Sequence, residues 1–169
     1  MYINFILFIL SYFFILTSVL GYGLFLLTVV EKKKNITNFG YVGLTGIFFL
    51  ILYSYISNII LAHSEIHNII FLIIGFISFL LILKNNFFLL KKELIFTTII
   101  FSLLFVSSLI FKNHDDFPYY HFPYTYYLTQ QSLFIGIGQF NHGFRTPSSI
   151  FYLNSLLYLP IFKYYLFNF

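Results

Sequence analysis

From Tyr2 to Val30 the chain runs for 29 residues without a charged side chain. A helix rising 1.5 Å per residue needs about 20 residues to cross a hydrocarbon core about 30 Å thick. This run is therefore long enough to span a bilayer and to tilt within it. It is not a cleavable signal, because it lacks a basic n-region and no small-residue cleavage site follows. Further apolar runs occupy about 39–62, 68–83, 94–111 and 149–169. The first four runs are separated by Glu31-Lys32-Lys33-Lys34, the link His63-Ser64-Glu65-Ile66-His67 and the stretch Lys84 to Glu93, where Phe87 to Leu90 is expected to dip into the interface.

Charged residues make up 8% of the chain and its mean hydropathy is +0.90, whereas soluble domains carry about 25% charge. So few charges cannot cover a water-facing surface. The expected fold is an all-α polytopic integral membrane protein, one domain of about five transmembrane helices, with an exoplasmic loop at 112–148 that carries interfacial helices. Gly40, Gly43 and Gly46 lie three apart, a spacing that favours close helix contact, and Gly21 and Gly23 read as packing or kink points. The chain ends in an apolar run with no polar tail, so it is expected to be the N-terminal part of a longer protein.

Loops alternate sides of a membrane. Lys32, Lys33, Lys34, Lys84, Lys91 and Lys92 then share one side, against Lys112 and Arg145 on the other. Six basic residues against two assign the lysine loops to the cytoplasm and the N-terminus and the 112–148 loop to the exoplasm, the periplasm if the membrane is a bacterial inner membrane. Cysteine is absent, which excludes disulfides, thiolate metal sites and a cysteine nucleophile. Aromatic residues make up 24% of the chain, but alanine occurs once, at Ala62, and tryptophan never, as in an AT-rich coding sequence. A single Tyr or Phe is accordingly weak evidence of function.

One stretch departs from this background: KNHDDFPYYHFPYTYY, Lys112 to Tyr127. Asp116 is placed to cap a helix beginning at Phe117-Pro118. The Tyr119–Ser132 pattern suits an interfacial helix that Pro123 kinks or divides. Gly136, Gly138, Asn141 and Gly143 mark an irregular loop, and a serine near 148 is the expected cap of the last apolar run. Two aspartates at a helix start can be caps and nothing more. They also lie where a transmembrane helix meets the surface, in a segment that adds His114, His121, Asn141, His142 and Arg145, groups suited to proton transfer and phosphate pairing.

HDDFPYYHFPY, followed by GIGQFNHG and RTPSSIFYLNSLLYLP, resembles a segment of large bacterial polytopic proteins that in turn resemble lipid-sugar-dependent glycosyltransferases of the GT-C class. The resemblance spans about Asn113 to Pro160. It implies that Asp115 and Asp116 stand at the acidic position of that class, acting as general base or holding a divalent metal. It further implies that Arg145 pairs with the phosphate of a polyprenyl-phosphate-linked sugar and that Tyr119, Tyr120 and His121 contact the sugar. The substrate would be a cell-envelope glycan.

His63, Glu65 and His67 form an H-x-E-x-H pattern that suits either a zinc site or a solvated turn. No phosphate-binding loop, dinucleotide fingerprint or serine elbow is present, and nothing calls for a nucleic-acid partner. The rival to a transferase is a non-catalytic transporter or assembly subunit, which should carry ionisable residues at mid-membrane; the apolar runs carry none before Lys163. With no native cysteine, single cysteines at Lys33, Lys91 and Asn141 test the orientation. The first two should resist an impermeant external reagent and the third should react; the reverse pattern would refute an exoplasmic 112–148 loop.

Overall fold

A computed structural model describes residues 5–29, 38–110 and 115–167; the Lys32–Lys34 cluster, Lys112 and His114 lie outside these. The regular structure is helical: α1 is Phe5–Val29, α2 Phe39–Ile60, α3 Glu65–Ile110, α4 Phe122–Gln130 and α5 Ser149–Ser155. No strand forms among the described residues. Phe5–Val29, Phe39–Ile60 and Glu65–Lys84 are long and apolar enough to cross a membrane. Their outward residues, among them Leu44, Phe48, Ile56, Ile74 and Leu81, are apolar as a lipid-facing surface requires.

The expectation of five spans is not reproduced, and two regions differ from it. The loop expected at Lys84–Glu93 is helical, and α3 continues through it with one non-helical residue, Asn86 (φ −128°, ψ 17°). The stretch contains neither glycine nor proline, so the helix is interrupted only by the kink at Asn86, which separates two helical halves; the Asn86 amide donates to the Ile82 carbonyl at 3.0 Å. Lys84, Lys91 and Lys92 stay exposed, Leu90 enters the core and Phe87 remains outside.

The fifth apolar run does not form a spanning helix. α5 has seven residues, a rise of only about 10 Å. Pro160 then follows, with positive φ at Ile161 (74°) and Lys163 (51°) and an isolated backbone bridge between Leu159 and Lys163. The Asn154 amide donates to the Phe167 carbonyl at 2.7 Å and closes the return.

The chain divides into two compact units, Met1–Phe49 with Phe71–Phe111, and Leu50–Ile70 with Lys112–Phe169. In the first, Leu20, Leu24 and Leu27 of α1 pack with Phe39 and Val42 of α2 and with Phe79 and Leu90 of α3. The Tyr22 hydroxyl donates to the Phe71 carbonyl at 2.6 Å, with the two rings stacked at 4.6 Å. Beyond Asn86, Phe101 and Phe105 come back to Tyr12, whose hydroxyl donates to the Phe101 carbonyl at 2.9 Å.

Glycine sets how closely these helices approach. A Cβ at Gly46 would lie 2.1 Å from the Val19 carbonyl oxygen, and one at Gly21 would lie 1.8 Å from that of Gly75. Gly43 differs: its Cβ would meet only Leu20, at 3.9 Å. Of the triplet read as a contact stripe, Gly46 alone is pressed against backbone. Gly46→Ala should therefore destabilise the protein by about 1–3 kcal/mol through overpacking. Gly43→Ala should be neutral or stabilising by up to about 1 kcal/mol, because it removes a flexible residue from a helix interior. Thermal unfolding of both variants in detergent checks this, and equal losses at the two positions would refute it.

Candidate functional site

The acidic pair opens a wide helical turn. Residues Phe117–His121 form one π-helical turn in which the Phe122 N–H reaches the Phe117 carbonyl, and α4 begins at Phe122. Pro118 and Pro123 lack an N–H, so the usual i to i−4 ladder is broken at both places. The division expected at Pro123 is thus present, one residue earlier. Asp116 does not cap this turn through its side chain. Its carbonyl accepts from Tyr119 and Tyr120 at 3.1 and 3.3 Å, and its carboxylate accepts from the Tyr120 hydroxyl at 3.3 Å. Removal from water, and then the charge and hydrogen bond of Asp116, raise the Tyr120 phenol above its ordinary value, so it stays protonated as the donor.

Tyr120 lines a half-open cleft of about 520 Å³ together with His121, His142, Thr146, Ser148 and Phe151. His121 packs edge-on to Tyr120 at 4.4 Å and tilts against Phe151 at 4.9 Å. The opposite wall is held by Asn141, whose amide donates to the Tyr119 carbonyl at 3.3 Å while its oxygen accepts from Gly143 N–H at 2.8 Å. Gly143 also lines the cleft, and a Cβ there would lie 2.6 Å from Tyr120. Ser148 caps α5 by accepting from Ile150 N–H at 3.3 Å, as the sequence leads one to expect. Beneath the cleft Tyr124 and Tyr152 share a hydroxyl–hydroxyl bond of 2.8 Å, and Tyr55 stacks on Tyr152 at 4.0 Å. Burial first, and then the bond to Tyr152, raise the Tyr124 phenol far above its usual range.

Of the sequence-predicted site residues, Tyr120 and His121 face the cleft and Asp116 reaches it through Tyr120. Asp115 and Tyr119 are exposed beside it. Arg145 is also exposed, its Nε donating to the Gly138 carbonyl at 3.4 Å. Thr146, Ser148 and Phe151 were not foreseen as lining; only the glycines and Asn141 of GIGQFNHG hinted that this loop folds onto Tyr120. Among the described residues no three histidine or carboxylate side chains gather to hold a metal ion. His63, Glu65 and His67 of the H-x-E-x-H pattern, all among these residues, thus form no metal cage.

That pattern is not a solvated turn either. His63 is fully buried, with Nε2 2.8 Å from the Ser57 hydroxyl and Nδ1 2.6 Å from that of Ser155. His67 stacks on His63 at 5.3 Å, and its ring nitrogens lie 2.7 Å from the Tyr53 hydroxyl and 2.9 Å from the Asn68 side-chain oxygen. Glu65 pairs with Lys163. The buried Asn68 amide lies 2.9, 2.8 and 3.1 Å from the carbonyls of His63, Ser155 and Tyr158. The pattern thus joins the α2–α3 link to the C-terminal segment.

No protein-family model, curated protein or solved structure matches the chain. What the cleft does must be read from its own groups. Two imidazoles, a phenol tied to a carboxylate and two hydroxyls can exchange a proton and hydrogen-bond a hydroxylated or phosphorylated ligand.

Burial, and then the neighbouring His67, push the His63 imidazole from 6.5 down to about 3. A folded value below the unfolded one means that the unfolded chain binds more protons between those limits. Stability is then full above about pH 6.5 and falls as pH drops toward 3, by at most about 1.4 kcal/mol per pH unit. Unfolding temperature in detergent should decline over this window. His63→Gln should be less stable at neutral pH but show a flatter profile; an unchanged slope would contradict the assignment.

Proposed function

We propose that this chain belongs to a membrane enzyme that transfers a sugar from a polyprenyl-phosphate donor to a cell-envelope glycan, in the manner of the GT-C class it resembles. The observation that carries the reading is the hydrogen bond from Tyr120 to Asp116, which joins the acidic pair to a cleft rich in imidazole and hydroxyl groups. Asp116 is the general base. It takes the proton of the acceptor hydroxyl as that oxygen bonds to the anomeric carbon. The bond from that carbon to the polyprenyl phosphate breaks, and the phosphate leaves with the electron pair. Tyr120, still protonated, orients the carboxylate, His121 and His142 hydrogen-bond the sugar, and Arg145 pairs with the departing phosphate through its planar fork.

The site lies on the periplasmic face of a bacterial inner membrane, with the lysines in the cytoplasm. Supporting this is the joining of 50–70 and 112–169 in one unit. The link after α2 and the 115–167 segment therefore share a side of the membrane. The half of α3 beyond Asn86 is then a fourth span that returns the chain to that side. The lysine asymmetry makes that side the outside.

Asp116→Asn keeps shape while removing the base, so sugar transfer by membranes containing the protein should fall about 10²–10⁴-fold at unchanged membrane abundance. Asp115→Asn, altering an exposed carboxylate, should cost less. Full activity in the Asp116 variant would remove the catalytic reading and favour a non-catalytic subunit.

A further inference from the structure

We propose that the loop Leu133–Phe140 is a membrane anchor, inserting Phe134, Ile135 and Phe140 into the interfacial region of the leaflet on the cleft side. Ile135 and Phe140 are 94% and 79% exposed, the two most exposed large apolar side chains among the described residues, and Phe134 is 57% exposed. Such a cluster left in water marks a docking surface. No acidic residue, lysine or arginine occurs from Phe117 to Phe144, so the loop itself carries none of these charges; Arg145 meets it only at Gly138.

The occupant is identified by where the loop starts. Leu133 N–H donates to the Asn58 carbonyl at 2.7 Å, in the last turn of the membrane-crossing helix α2. The next residues of α2, Ile59 and Ile60, are themselves outward-facing at 63% and 77% exposure. The loop is thus continuous with a surface that lipid already covers, at the depth where the helix leaves the hydrocarbon.

Backbone entering a leaflet must satisfy its own polar groups, and this loop does so in part. Gln139 N–H donates to the Gly136 carbonyl at 2.9 Å and Phe140 N–H to that of Ile137 at 3.0 Å, forming a compact 3-10 turn. Gly136 takes φ 94° at the tip, a conformation open to glycine, with no neighbour within 4 Å of a Cβ placed there. Ile137 turns the other way and packs against the tyrosine cluster under the cleft. The loop is held from within while Phe134, Ile135 and Phe140 point out. Because it also meets Arg145 at Gly138, insertion would fix one rim of the cleft at headgroup depth, whatever reaction the cleft performs.

The chain contains no tryptophan, so Ile135→Trp and Phe140→Trp each give a single fluorophore without background. The full chain, reconstituted into phosphatidylcholine vesicles, should show blue-shifted emission at both positions. Lipids brominated near the headgroup end of the acyl chain should quench it more than lipids brominated near the tail, and aqueous iodide should quench it less than it quenches free N-acetyltryptophanamide. Emission at the water value, with full iodide access and no quenching by brominated lipid at either position, would overturn the proposal.

Discussion

The amide of Asn68, buried at the start of α3, lies within hydrogen-bond distance of the carbonyls of His63, Ser155 and Tyr158. A buried amide with no partner costs about 1–3 kcal/mol. His63 adds hydroxyl partners on both ring nitrogens, and Asn58 donates to the Leu128 carbonyl at 2.9 Å. Together they bind the α2–α3 link to α4 and to the segment after α5. Polar networks of this kind act as a unit, each bond sheltering the next from water. Together with the Glu65–Lys163 ion pair, that network holds the C-terminal apolar segment against the link.

The cleft depends on this assembly indirectly. α4 is held from below by Asn58 and by the Tyr124–Tyr152 hydroxyl pair, α5 by Ser155. With both helices set, the residues flanking them, Tyr120 and His121 before α4 and Thr146 and Ser148 before α5, face one another across the cleft. Gly143 allows the intervening loop to close to within side-chain contact of Tyr120. The carboxylate of Asp116 enters through a hydrogen bond from a phenol. That bond takes one of the several lone-pair sites a carboxylate offers, so it can orient Asp116 without blocking it.

α3 and the end of the chain show why counting apolar runs misreads a membrane fold. Hydropathy locates where lipid is tolerated, but the helix also tolerates lysines when they fall on an exposed face, as Lys84, Lys91 and Lys92 do. A run of charges is therefore not by itself a loop: here the helix is interrupted at Asn86 alone and resumes directly after it. Conversely, the last apolar run contains Pro160 and a buried polar seam, and both oppose a straight crossing. Its large side chains pack instead on one another and on α4, as Phe167 does against Tyr158 and Phe122.

The sequence by itself determined the solvent and the helical class. Uncharged runs of twenty or more residues admit no other bilayer-crossing structure here, because each helix satisfies its backbone internally. It also marked the places where the chain breaks, since Pro118, Pro123 and Gly136 act through local geometry alone. Tyr120 and His121 could be named because they sit beside an unusual acidic pair. The rest lay beyond local signals. That His63 is a buried hub, that Asp116 meets a phenol instead of a helix end, and that His142, Thr146 and Ser148 face Tyr120 all depend on pairs separated by many residues. Hydropathy and short motifs describe a residue's neighbours along the chain, whereas burial and hydrogen-bond satisfaction are set by neighbours in space, and only the packed tertiary structure supplies those.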